Sequence, residues 1–178
     1  MRAAVFVDGG YLGAILKNEH GEPRLAYDRF SDVLVGQGYE RLRSCCYYCM
    51  PFQSDPPTFE EKERYRRAQR WIENIQRLPR FDIRLGKLAK RGTSFEQKRV
   101  DVLLSVDLVR MSWDHQIQKA VVVTGDSDFV PAVQAAKDAG VLTHLYYSAS
   151  SIHDELRDAF DDRTVITKDL IDGCRISA

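Results

Sequence analysis

Val5-Phe6-Val7-Asp8-Gly9-Gly10 places an aspartate at the end of an apolar run and follows it with glycines that admit a ligand close to the backbone. Val121-Val122-Val123-Thr124-Gly125-Asp126-Ser127-Asp128-Phe129 repeats the arrangement with two aspartates. A fourth candidate is Asp101, in Arg99-Val-Asp-Val-Leu-Leu-Ser-Val-Asp-Leu-Val. At about 100° per residue, Val100, Leu104, Leu108 and Met111 fall on one flank of a helix and Val102, Val106 and Val109 on the other, with Asp101 and Ser105 between them. This pattern predicts an Asp101 held against the protein. Carboxylates gathered within a few ångström repel one another, and either take up protons or share a cation. All-oxygen ligation without nearby His or Cys selects Mg²⁺ or Mn²⁺ over Zn²⁺. The chemistry such a site performs is metal-assisted displacement at phosphorus.

Each aspartate has a plainer reading. An Asp after a strand commonly caps the following helix, and both Asp126 and Asp128 are placed to cap a helix beginning near Phe129. Asp107 reads as a structural or surface group. The conjunction of two strand-end sites, a helix aspartate between apolar flanks and glycines beside both strand ends favours the metal.

The elements that must position these groups alternate short apolar runs with helical patterns, which is the signature of a parallel sheet with crossover helices. Strands are predicted at Ala3–Val7, Arg43–Met50, Ile83–Leu88, Ala120–Thr124, Thr143–Tyr147 and Thr164–Thr167. Helices are predicted from about Tyr11 and over Tyr27–Gly36, Thr58–Leu78, Phe95–Trp113, Ser127–Ala139 and Ser151–Phe160. Lys90–Ser94 reads as a loop, with Ser94 and Gln97 as a capping box for the next helix. The fold class is α/β: one three-layer α/β/α domain with a mainly parallel central sheet, over residues 1–170, with 171–178 as a tail. In open sheets of this kind ligands bind beyond the carboxyl ends of the strands, where the strand order reverses. If the first and fourth strands are neighbours there, Asp8, Asp126 and Asp128 converge.

The chain has 178 residues, 44% of them hydrophobic and 29% charged, which suits one soluble domain. Its 26 basic and 26 acidic groups cancel, but unevenly. Residues 60–99 carry 13 basic against 6 acidic groups, and 100–178 carry 7 against 13, a polarised distribution. No apolar run approaches the roughly 18 residues of a membrane span, and Met1-Arg2-Ala3 enters a strand at once, so a cytoplasmic protein is expected. Cys46 and Cys49 have CxxC spacing without a second ligand pair, so Cys45, Cys46 and Cys49 read as buried strand thiols.

Val5–Leu12, Lys98–Leu108 and Val121–Phe129 resemble, in order and spacing, the three motif blocks of NYN-domain proteins, nearest to the LabA-like branch of these PIN-like nucleases. The resemblance implies a PIN-like sheet, Mg²⁺ or Mn²⁺ held by acidic residues, and endonucleolytic hydrolysis of RNA phosphodiesters leaving a 5′-phosphate. By position Asp8, Asp101 and Asp126 match the acidic core and Asp128 the common fourth acid. Asp107 matches a frequent family aspartate, and Lys98 a basic residue placed to contact phosphate. Many members carry Asn in Asp-Gly-x-Asn, where this chain has Tyr11. Tyr11, whose hydroxyl could take over from that amide, and Ser127 are candidate substrate contacts.

The expected partner is RNA, single-stranded or structured, with no membrane; a homodimer is compatible with the chain. Positive charge near the acids should supply phosphate contacts. Lys87, Lys90, Arg91 and Lys98 are the candidates, on a loop expected to emerge beside the crevice. On the long helix, Glu60 with Arg64 and Glu63 with Arg67 are spaced as i,i+4 pairs, and Tyr65, Ala68, Trp71, Ile75 and Leu78 form the apolar face. Phe129 suits the core better than base stacking.

Three rivals remain at the level of sequence. A haloacid-dehalogenase-like phosphatase would want a second Asp two residues after Asp8, where Gly10 stands. Gly9, Gly10 and Gly13 partly mimic a dinucleotide fingerprint, but Asp8 would repel a pyrophosphate. A catalytically weak or silent RNA-binding scaffold of the same fold keeps every acid.

Overall fold

Ala3–Val7 are five apolar residues without a polar face, so the strand containing them must be covered on both sides. The computed structural model describes the backbone of residues 1–91, 94–98 and 100–176 and the side chains of 1–87 and 100–176. In chain order the first half contains β1 (Arg2–Asp8), α1 (Gly9–Glu19), α2 (Tyr27–Val35), β2 (Glu40–Tyr48), α3 (Phe59–Gln76) and β3 (Phe81–Leu85). Next come β4 (Lys87–Arg91), β5 (Ser94–Lys98), α4 (Val100–Trp113), β6 (Lys119–Val123), a 3₁₀ turn (Ser127–Phe129) and α5 (Val130–Asp138). β7 (Leu142–Tyr147), α6 (Asp154–Ala159), β8 (Asp162–Val165) and α7 (Lys168–Gly173) complete the chain.

The main sheet has the order β3-β2-β1-β6-β7-β8, and each neighbouring pair is parallel. β1 is central, and Val5 and Phe6 are fully buried. Alternation along the strands divides the core. Ala4, Phe6, Cys45 and Val122 face Leu104 and Leu108 of α4, Val133 of α5 and Leu156 of α6. Val5, Val7, Cys46 and Val123 face α1, α2, α3 and α7 through Leu12, Phe30, Ile75 and Ile171. The architecture is therefore a three-layer α/β/α sandwich. The chain leaves β1 for the β2 side over one face and leaves β6 for the β7 side over the other, so the order reverses between β1 and β6.

Several sequence expectations require correction. The helix expected over Phe95–Trp113 begins at Val100, and Ser94–Lys98 instead pairs antiparallel with Lys87–Arg91. Of the expected Lys90–Ser94 loop, Lys90, Arg91 and Ser94 are strand residues and 92–93 lie outside the described residues; Ser94 and Gln97, both in β5, do not form the expected capping box of the helix. Two five-residue runs separated by two residues including a glycine are a hairpin signal, and it prevails over the helical spacing. For the same reason the third strand of the main sheet ends at Leu85. The first helix begins at Gly9 rather than near Tyr11, because Asp8 caps it.

Val102 and Val106 are 62% and 55% exposed, not held against the protein. α4 packs on the sheet through its other flank, at Val100, Leu104, Leu108 and Met111. Glu63 pairs with Arg66 at 2.8 Å, three residues on, in place of the expected pairing with Arg67. The expected tail is packed in part: α7, capped by Thr167, buries Ile171 and Cys174.

All four cysteines are free and buried, and burial pushes the Cys46 thiol up to about 12, so it stays protonated. Among the described residues, no helix is long and apolar enough to cross a membrane.

Candidate active site

Val7 pairs with Val123 on the last rung shared by β1 and β6, so the next residues, Asp8 and Thr124, stand side by side at the carboxyl edge. Thr124 is fully buried, and its hydroxyl links the two strand ends. Oγ1 lies 3.4 Å from Asp8 Oδ2 as donor and accepts from the Asp126 amide at 3.3 Å. Asp8 Oδ1 also accepts the Tyr11 amide at 3.0 Å, and Asp126 Oδ1 accepts the Asp128 amide at 2.9 Å. Asp8 and Asp126 thus do cap helical turns, whereas Asp128, expected as a cap, does not, since α5 starts after Phe129 without a side-chain cap; each capping aspartate keeps oxygen lone pairs for other partners.

Charge couples Asp101 to the other acids. Burial holds the Asp8 carboxyl above its ordinary range; the amides of Tyr11 and Gly10 and the Thr124 hydroxyl oppose this, and the Asp126 charge adds to it. Asp101 is also raised, by burial and then by the charges of Asp126, Asp8 and Asp128. Asp101 is half-buried and Asp128 is exposed, the latter lining a cavity with Ser105, Val106 and Arg110 between α4 and α5.

Among the described residues no three acidic, histidine or cysteine side chains come close enough to form a preformed metal cage. The donor set nevertheless suits a hard cation. It is all oxygen, two of its members are destabilised as anions, and Mg²⁺ needs only one or two direct carboxylates because it retains several waters.

Asp107 does different work. It is 8% exposed, accepts the buried Tyr47 hydroxyl at 3.0 Å, and lies 3.3 Å from Arg84 Nε and 3.2 Å from Arg110 Nη2. These partners fasten α4 to β2 and β3 and account for a structural aspartate at this position.

Tyr11 is also committed. Its hydroxyl donates to the Ser151 carbonyl at 2.7 Å and accepts from the Ser148 amide at 2.9 Å, which ties α1 to the 148–151 loop. Its ring lies over Gly125, where an added Cβ would meet that ring and stand 2.6 Å from the Ser151 carbonyl. The same loop is tied to the far end of α1, since Ser148 and Ser150 hydroxyls both donate to Glu19 at 2.6 Å. Ser127 opens the 3₁₀ turn and is half-buried. Phe129 is fully buried in the core. Lys87 is exposed, on β4 rather than in a loop, whereas the side chains of Lys90, Arg91 and Lys98 lie outside the described residues.

Thr124 and the Ser148–Ser151 loop are the parts of the candidate site that sequence reasoning missed. The available signals were a hydroxyl between Val123 and Gly125 at a strand end and the serine-rich run after β7.

The family model of the NYN domain matches residues 2–167, a span that includes Asp8, Asp101, Asp126 and Asp128. The chain belongs to the NYN domain family. NYN proteins are generally nucleases of the PIN-like superfamily, so its members provide a nuclease context for the crevice. Among solved structures, a protein of unknown function from Vibrio parahaemolyticus shares the NYN chain's fold with a TM-score of 0.70. The two are 20% identical, and the match covers 94% of each chain. No curated protein matches the chain.

Proposed function

We infer that this NYN domain is a metal-dependent ribonuclease, endonucleolytic and nearest to the LabA-like branch. The observation carrying the reading is the pairing of Asp8 and Asp126 through Thr124 at the point of strand reversal, with Asp101 and Asp128 in the same electrostatic field. Asp8, Asp101, Asp126 and Asp128 are the residues that would hold Mg²⁺ or Mn²⁺. When bound, such a cation supplies a nucleophilic water and offsets charge developing on the phosphoryl and leaving oxygens. Thr124 fixes the separation of Asp8 and Asp126, and the backbone amides of Tyr11 and Asp128 hold one oxygen of each carboxylate in place. The remaining lone pairs, on Asp8 Oδ2 beside the Thr124 hydroxyl and on Asp126 Oδ2, would orient water and cation. No aspartate is assigned as a covalent nucleophile, because Gly10 stands where a phosphatase would need its second acid.

A second reading, an RNA-binding scaffold of the same fold, draws support from Tyr11. Its hydroxyl is engaged by Ser148 and Ser151, so nothing at this position takes over the role of the amide that many family members carry. Incubating the protein with single-stranded RNA and Mn²⁺, with and without chelator, separates the two. Cleavage that requires metal and disappears in a folded Asp126→Asn variant supports the ribonuclease. RNA binding without cleavage across a broad panel of RNAs supports the scaffold.

A further inference from the structure

Between α1, the 21–27 segment and α3 lies a cavity of about 560 Å³ that continues into a second of about 960 Å³. Pro23, Tyr27, Arg67 and Trp71 line both, so the two form one groove. Its near wall is Gly9, the residue that follows Asp8. An added Cβ at Gly9 would stand 2.9 Å from the Tyr47 carbonyl and 3.2 and 3.4 Å from the Tyr48 and Trp71 rings. The missing side chain is therefore what lets the groove's aromatic wall close up against the crevice.

That wall is built of rings. Trp71 has Tyr48 at 5.0 Å and Tyr27 at 5.8 Å, centroid to centroid, and is itself half-buried. Phe59, at the start of α3 and lining the groove, is 77% exposed, which a monomeric fold does not require of a phenylalanine. Cations are interleaved with the rings: Lys17, Arg24, Arg64, Arg67 and Arg70 line the groove against Glu22, Asp28, Glu60 and Glu63. Glu63 is already taken by Arg66. Five cations therefore face the three remaining groove acids, and among the described residues Lys17 and Arg67 have no ion-pair partner, so the groove keeps a surplus of positive charge. Flat π surfaces alternating with unpaired cations are the chemistry that holds single-stranded nucleic acid, bases on rings and phosphates on cations. The volumes lie within the range of small-ligand sites, enough for individual nucleotides.

We propose that this groove is the track for single-stranded RNA flanking the scissile phosphate, with Phe59 and Trp71 stacking bases and Lys17 and Arg67 meeting phosphates. The proposal rests on the ribonuclease reading for its direction: the strand leaves the Asp8 crevice over Gly9 and Tyr48 and runs along α3.

The two tryptophans allow a direct test. In a Trp113→Phe, Asp126→Asn protein, Trp71 is the remaining tryptophan and the RNA is not consumed. Titration with an oligouridine strand should quench Trp71 emission saturably, whereas a blunt RNA duplex should not. Phe59→Ala on this background should weaken the strand about 5- to 150-fold, the range for loss of one base stack. Arg67→Ala should lower the slope of log affinity against log salt by about 0.7, one phosphate contact. Phe59 and Arg67 are exposed, so neither change threatens folding. If the strand binds by fluorescence anisotropy with unchanged affinity in both variants and Trp71 emission does not move, the track is overturned. The ribonuclease reading survives that result when the wild-type protein still cleaves RNA in a metal-dependent way. If RNA is neither bound nor cleaved, the reading beneath falls and the track falls with it.

Discussion

Replacing Tyr11 with Phe separates a positioning role from a chemical one. The ring would stay over Gly125, and only the hydroxyl that donates to the Ser151 carbonyl and accepts from the Ser148 amide would go. Ser148 is 1% exposed, so its amide would lose its partner without gaining water, at a cost of about 1–3 kcal/mol. The Ser151 carbonyl, on an exposed residue, can rehydrate and adds at most about 1 kcal/mol. A total near 2–3 kcal/mol lowers the melting temperature of a domain this size by about 4–12 °C. Thermal unfolding followed by circular dichroism gives the shift, and RNA cleavage at 20 °C, well below the transition, gives the activity. The expected outcome is a clearly lowered melting temperature with cleavage within a few-fold of wild type. An unchanged melting temperature together with a hundredfold loss of cleavage would refute the assignment and make the hydroxyl a catalytic group.

Gly125→Ala should be worse than Tyr11→Phe, since the new methyl meets the Tyr11 ring and the Ser151 carbonyl. Overpacking of about 1–3 kcal/mol and loss of cleavage are expected, read by unfolding and activity together. Asp107→Ala should cost about 1–3 kcal/mol by orphaning the buried Tyr47 hydroxyl, yet leave Mn²⁺ affinity measured by calorimetry unchanged.

Asp8 supplies the pH prediction. Burial holds its carboxyl above the unfolded value of 3.8, so the folded state binds more protons than the unfolded state between that value and the raised one. Stability of the metal-free protein should therefore fall as pH rises through this window. Asp8→Asn should reduce that fall, raise the neutral-pH melting temperature without metal, and remove the stabilisation that Mg²⁺ gives the wild type. A metal-free melting temperature lowered at pH 7 by Asp8→Asn would count against a destabilised carboxylate.

The strand-end acids were legible because a buried parallel strand is a continuous apolar run, and its carboxyl end is where the polar residues resume. Val5–Val7 and Val121–Val123 mark that boundary in the sequence, and their adjacency follows once the order reverses at β1. Asp101 was legible only in part. Helical spacing placed it between two apolar flanks, but spacing does not say that Val102 and Val106 would lie in solvent. The hairpin at 87–98 was misread because five-residue runs fit either period, and the two-residue connection decided the outcome. Tyr11 and the 148–151 loop lie 137 residues apart at their bonded atoms, a contact that no local pattern encodes. The link through Thr124 depends on the register of β1 with β6, which exists only once the sheet is formed.

The ribonuclease reading requires Asp8, Asp101, Asp126 and Asp128 to share a divalent cation. Anomalous diffraction from a crystal soaked in Mn²⁺ tests it most directly. The predicted result is an anomalous peak in the crevice between the ends of β1 and β6, bonded to a carboxylate oxygen of Asp8 or Asp126 and absent from the Asp126→Asn crystal. A crevice without a peak, in crystals of a protein that cleaves RNA in the presence of Mn²⁺, would contradict it.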